Sequence, residues 1–120
     1  MTTVLIVEDN PVNMKLAAFI LSQAGYTVLE AENAETGLAL AREHRPPLVL
    51  MDVHLPGMDG IEALEIMRAD PGLAHVKVYA ITASAMKGDR ERLLRAGFDG
   101  YMAKPFVRQR LLDEVAAALA

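Results

Sequence analysis

Two rhythms of apolar and polar residues alternate along the chain. Thr3-Val4-Leu5-Ile6-Val7 is a short, β-branched apolar run closed by Glu8-Asp9. Leu48-Val49-Leu50-Met51 closes on Asp52, and Val76-Lys77-Val78-Tyr79-Ala80-Ile81 closes on Thr82. Tyr26-Thr27-Val28-Leu29 and Asp99-Gly100-Tyr101-Met102-Ala103 read as two further short strands. Apolar runs without alternation suit strands covered on both faces, as in a parallel sheet. Between them the spacing turns helical. Asn10 and Pro11 predict the start of a helix whose Val12, Leu16, Phe19 and Ile20 share one face, with Gly25 as its stop. Asn33 predicts the cap of a second helix carrying Ala34, Leu38 and Ala41, which must end before Pro46-Pro47. Asp59 and Glu62 form a capping-box pair ahead of Leu64 and Met67. A fourth helix opens at Ser84 or a neighbour and stops at Gly97, and a fifth carries Val107, Leu111, Val115 and Leu119.

Five alternations of strand and helix predict an α/β domain over residues 1–120, with a five-stranded parallel sheet and helices on both faces. That count suits a doubly wound, flavodoxin-like (βα)5 fold with strand order 2-1-3-4-5 rather than a barrel. In such sheets ligands sit beyond the carboxyl ends of the strands. The residues that close the apolar runs are Glu8, Asp9, Asp52 and Thr82, with Lys104 just past the fifth strand. The fold would gather them in one crevice.

Composition narrows the chemistry. The chain has 120 residues, 52% of them hydrophobic, which is enough for a packed core and excludes disorder. Cysteine is absent, which removes disulfide frameworks, thiolate metal sites and thiol nucleophiles. A formal net charge of −4 argues against free-standing nucleic-acid binding. The pattern contains neither a leader peptide nor an apolar run of membrane-spanning length, so the expectation is a cytoplasmic protein with no membrane contact. Charge is divided unevenly, −7 over residues 1–65 and +3 over 66–120.

Glu8, Asp9 and Asp52 at adjacent strand ends would repel one another unless a cation joined them. Carboxylates with carbonyls and water suit Mg²⁺, with Mn²⁺ as the alternative. Lys104 and Thr82 point beyond metal storage, because a cation and a hydroxyl bind phosphoryl oxygens. A carboxylate nucleophile then gives an acyl phosphate.

The whole chain resembles the receiver domain of bacterial two-component response regulators. The likeness runs from Val4-Leu5-Ile6-Val7-Glu8-Asp9-Asn10 through Leu50-Met51-Asp52-Val53-His54-Leu55-Pro56-Gly57-Met58-Asp59-Gly60 to Ile81-Thr82-Ala83 and Lys104-Pro105-Phe106. Glu8 to Leu16 and Ala85 to Asp89 look particularly like the DivK type of single-domain receiver, and also like receivers attached to hybrid histidine kinases. The resemblance implies that Asp52 is the phospho-acceptor and that Glu8 and Asp9 hold Mg²⁺, with the His54 backbone carbonyl completing the protein ligands. It implies that Lys104 binds phosphate through a site with a cis peptide to Pro105, that Thr82 is the switch hydroxyl, and that Tyr101 is the aromatic switch. The His54 imidazole is not a ligand on this reading, since Mg²⁺ prefers oxygen. His54 and Ser84 lie where receivers vary and phosphate lifetime is tuned. The implied partners are a sensor histidine kinase or histidine phosphotransfer protein, met through the first helix with Asn13 and Lys15, and a downstream protein met through helix 4, strand 5 and helix 5. The implied role is a switch that assists its own phosphorylation and dephosphorylation, not a turnover enzyme.

Other readings fit less well. A haloacid-dehalogenase-type phosphatase needs a second Asp where His54 stands, and no G-x-x-x-x-G-K-[ST] or G-x-G-x-x-G motif is present. A pseudo-receiver, acting only as an interaction module, usually lacks the acceptor, the acidic pair or the lysine, and all are here. The seven methionines, among them Met14, Met51, Met67 and Met102, read as core filler, and His44 and His75 as loop or helix-end residues. Lys87 to Arg92 reads as a solvated helix face.

Overall fold

Five parallel strands stand in the order β2-β1-β3-β4-β5. In chain order the elements are β1 (Thr3–Val7), α1 (Pro11–Gln23), β2 (Thr27–Ala31), α2 (Ala34–His44), β3 (Leu48–Asp52), α3 (Gly60–Ala69), β4 (Lys77–Thr82), α4 (Asp89–Ala96), β5 (Gly100–Ala103) and α5 (Arg108–Leu119). The computed structural model describes residues 2–83, 88–104 and 106–120. Ser84 and Pro105, and with them the expected cis peptide, lie outside the described residues.

The strand pleat sorts side chains into two cores. Val4 and Ile6 of β1, with Leu48 and Leu50 of β3, pack against Met14, Ala17, Ile20 and Leu21 of α1 and Leu111, Val115 and Ala118 of α5. Leu5, Val7, Val49 and Met51 point the other way, onto α2, α3 and α4. Both faces of β1 and β3 are therefore covered, which is why their sequences show no alternation. Met14, Met51, Met67 and Met102 are all core residues.

The capping residues act as expected. Asn10 Oδ1 accepts from the Val12 and Asn13 N–H groups, and Asn33 Oδ1 from Thr36. Asp59 and Glu62 close a reciprocal capping box. The bounds of β2, β4 and β5 shift by one or two residues from the sequence reading.

Two expectations need correction. The apolar face Val12, Leu16 and Phe19 is not the buried one: these residues are 73%, 38% and 63% exposed, whereas Met14, Ala17, Ile20 and Leu21 are buried. Helix α1 is apolar nearly all round, so periodicity could not choose its inner face. Val107 is the exposed N-cap of α5 rather than a core position, because the helix begins after it. Among the described residues α4 begins at Asp89, after Gly88.

Candidate functional site

The strand-end acids meet where the topology puts them. β1 and β3 are hydrogen-bonded neighbours with Val7 paired to Met51, so Glu8 and Asp52 leave the sheet side by side. Ligand atoms from Glu8, Asp9 and Asp52 lie within 4.8 Å of one another. Glu8 and Asp52 are 1% and 2% exposed, while Asp9 is exposed and forms the mouth.

Lys104 arrives from β5 through a backbone bond: its N–H donates to the Thr82 carbonyl at 2.8 Å. Its Nζ lies 2.9 Å from Asp52 Oδ2 and also pairs with Glu8 Oε1. The His54 N–H donates to Asp52 Oδ1 at 3.0 Å, and the Asn10 N–H to Glu8 Oε2 at 3.2 Å. Burial pushes the Glu8 carboxyl up to about 7, and its hydrogen bond with Asp52 adds to the rise, while Lys104 and the Asn10 N–H restrain it. Burial alone would lower the Lys104 ammonium, yet its hydrogen bonds and charge contacts with Asp52 and Glu8 raise it above its ordinary value. One ammonium therefore pairs with two buried carboxylates, and a third, from Asp9, lies close to both. An all-oxygen donor set with excess negative charge fits a hard divalent cation such as Mg²⁺.

Thr82, 2% exposed, ends β4 opposite Ala103 of β5. Tyr101 is half-buried on β5 against the α2–α3–α4 core. With Arg90, Leu94 and Arg110 it lines a cleft of about 400 Å³ between α4 and α5. The His54 side chain is exposed, in keeping with a backbone role, and His44 and His75 are exposed away from the site.

Two residues near or behind the site were given no role by the sequence reading. A Cβ on Gly60 would stand 2.4 Å from the Asp52 carbonyl oxygen and 2.9 Å from Val53 Cα. The start of α3 thus packs directly on the Asp52 backbone, and the signal was the Asp59-Gly60 pair that opens that helix. Arg68 binds three backbone carbonyls from two loops at the far end of the sheet, and no motif announces such an interaction.

The comparisons agree with this geometry. Residues 4–116 match the profile of the response regulator receiver domain. The chain is 42% identical over 117 residues to the polar-differentiation response regulator DivK of Brucella anthropi, covering 98% of this chain and 95% of that protein. The receiver domain of sensor histidine kinase PA1611 from Pseudomonas aeruginosa, with a magnesium ion coordinated in its active-site cleft, superposes with TM-score 0.90 at 36% identity, covering 98% of this chain and 97% of that one. The chemotaxis protein CheY4 of Vibrio cholerae superposes with TM-score 0.91 at 25% identity, over 98% of each chain. With strand order, crevice and sequence in accord, the chain belongs to the response regulator receiver domain family.

Proposed function

We propose that residues 1–120 act as one receiver, with Asp52 taking a phosphoryl group from the phosphohistidine of a sensor histidine kinase or histidine phosphotransfer protein. An Asp52 carboxylate oxygen attacks phosphorus in line, the phosphorus–nitrogen bond to histidine breaks, and the imidazole leaves and takes up a proton. The observation that carries this reading is Lys104 Nζ seated 2.9 Å from Asp52 Oδ2 in a buried crevice lined by Glu8. There it orients the carboxylate before reaction and meets a phosphoryl oxygen after it. The His54 N–H holds Asp52 Oδ1 in place. Glu8, Asp9, Asp52 and the His54 carbonyl would hold Mg²⁺ or Mn²⁺, which when bound neutralises charge on the phosphoryl oxygens.

Thr82 and Tyr101 are the residues by which phosphate biases the α4–β5–α5 face, where a downstream protein docks. The donor docks on α1, whose Asn13 and Lys15 adjoin the apolar stripe Val12, Leu16 and Phe19. Receiver domains are signalling switches, and this one assists its own phosphorylation and dephosphorylation without a dedicated turnover. The reading sets its action in the cytoplasm. No helix among the described residues is long and apolar enough to cross a membrane.

The test is intact mass after incubation with acetyl phosphate, with and without Mg²⁺, for wild type and Asp52→Asn. The expected result is a Mg²⁺-dependent gain of one phosphoryl group that Asp52→Asn abolishes. Absence of any adduct, with beryllofluoride also failing to bind, would leave a phosphate-independent interaction domain as the reading.

A further inference from the structure

Strand β5 is an edge: β4 pairs with it on one side, and among the described residues no strand pairs with it on the other. In a parallel ladder alternate residues bond one neighbour, so the backbone groups between them face the open side. Helices α4 and α5 do not close that side. Leu93 anchors α4 in the core on one face of the sheet, and Leu111, Val115 and Ala118 anchor α5 in the core on the other. The cleft between the two helices therefore follows the free edge of β5, and Gly100 and Tyr101 belong to its lining.

The middle of this cleft is apolar and its two ends carry opposite charge. Tyr79, Tyr101 and the exposed Leu94 line it. A Cβ on Gly100 would stand 2.6 Å from the Tyr79 ring, so glycine is what lets that ring lie against the β5 backbone. Both helices run opposite to the strands, which places Arg90 of α4 and Arg110 of α5 toward the carboxyl end of β5. Glu114 sits one turn further along α5, toward the amino end, where Asp99 precedes the strand. Burial raises the Tyr79 hydroxyl above its ordinary value, and Glu114 and Asp99 add to the rise, which sets both acids at the Tyr79 end. Asp99 is answered by Arg68 at 2.8 Å. Among the described residues Arg90, Arg110 and Glu114 have no hydrogen-bond or ion-pair partner.

We propose that this cleft takes an extended segment of a downstream protein, which adds a strand beside β5 and lays an acidic side chain between Arg90 and Arg110. The inference rests on the reading of α4, β5 and α5 as the output face, and it gives that face a ligand class. The segment carries a carboxylate at one end, β-branched residues in the middle and a base at the other end. Backbone bonds to the free edge supply affinity that is blind to sequence, and the charges select the segment and its direction. Antiparallel addition, the stronger of the two pairings, puts the acid at the start of the segment and the base beside Glu114. An amphipathic helix laid in the same cleft would cover the edge groups of β5 without bonding them. Two unpartnered arginines at one end and an unpartnered glutamate at the other complement a strand of that polarity.

The probe is the capped peptide acetyl-Glu-Val-Thr-Val-Lys-amide, titrated into the whole chain with Mg²⁺ and beryllofluoride, with chemical shifts as the readout. The expected result is saturable shifts of the Gly100–Ala103 amides and of the Arg90 and Arg110 side chains. Methylating the backbone nitrogens of both valines, or instead that of the threonine, should abolish binding in one case and spare it in the other, because a strand bonds its neighbour through alternate residues. Arg110→Gln should weaken the peptide on the order of tenfold, yet leave unchanged the affinity of a peptide with Gln in place of Glu. Equal effects of the two methylations would show that side chains alone hold the segment, and shifts that appear on raising protein concentration without peptide would make a second copy the occupant. Either outcome overturns the proposal, as does a peptide that leaves β5 unmoved. Beryllofluoride alone separates the two readings. If it shifts Tyr101 while the peptide fails to bind, the output face stands and the added strand falls; if Tyr101 does not respond, the output face falls and the proposal with it.

Discussion

Two cations tie this receiver together at opposite ends of the sheet, in opposite company. Arg68, at the ends from which β4 and β5 start, meets three carbonyls and one carboxylate, and each acceptor takes a well-directed N–H. Lys104, beyond the end of β5, sits between Glu8 and Asp52 with Asp9 at the mouth, so one positive charge answers three negative ones. The first arrangement is electrically and geometrically satisfied and so serves the fold. The second is left with surplus negative charge in a buried place, a condition that favours a cation or a change of protonation over the apo state. Surplus charge under burial is the mark that separates a site from a scaffold here.

A large effect should come from breaking the satisfied cluster. Arg68→Met leaves four acceptors without their donor, two of them carbonyls near the protein interior. Allowing for partial exposure of the pair, the expected loss is about 2 kcal/mol of unfolding free energy. Because the cluster shares no residue with the acidic crevice, urea denaturation should give the same loss with or without Mg²⁺. A loss that varied strongly with Mg²⁺ would tie Arg68 to the acidic site instead.

The unsatisfied site should behave in the reverse sense. The Glu8 carboxyl, raised from 4.5 to about 7 in the folded chain, binds its proton more tightly there than when unfolded. A raised acid of this kind favours the fold at low pH and loses that advantage as pH climbs from 4.5 through 7. Metal-free protein should therefore lose on the order of 1–3 kcal/mol between pH 5 and pH 8. Saturating Mg²⁺ should remove most of that fall, since the ion stabilises the ionised form. Glu8→Gln should flatten the profile and leave the metal-free protein more stable at pH 8 than wild type. A metal-free profile that rises over this range would show that Lys104 fully compensates the acids.

The two clusters also differ in how far the sequence disclosed them. Glu8, Asp9, Asp52, Thr82 and Lys104 each close a strand or follow one, so a parallel topology alone sends them to one crevice. The covered strands β1 and β3 were legible from their sequence too, being apolar at every position but Thr3 and Asp52. Arg68 was not legible, because its partners are mostly backbone carbonyls whose positions no residue type encodes. The inner face of α1 was misread because Val12, Leu16 and Phe19 are as apolar as the residues that truly face the core. Periodicity selects a face only when the opposite one is polar.

That misreading sharpens the contrast between the ends of the molecule. Val12, Leu16 and Phe19 follow one another at i, i+4 and i+7 on α1, and Phe19 is 63% exposed. The helix is capped by Asn10, directly after the acidic pair, so the stripe runs away from the acidic crevice along one outer face. A contiguous apolar stripe left in water marks a contact surface more often than a packing error. Phe19→Ala should change unfolding free energy by no more than about 0.5 kcal/mol, as expected where little area is buried. Loading from acetyl phosphate should be unaltered, because a small donor needs only the crevice. Transfer from a histidine kinase or phosphotransfer protein that phosphorylates the wild type should slow by about tenfold, about 1.4 kcal/mol of lost docking. Equal slowing with both donors would place the effect in the crevice and take the donor surface off α1. Loss confined to the protein donor would show that the end of the molecule carrying the surplus charge also carries the surface that delivers its phosphoryl group.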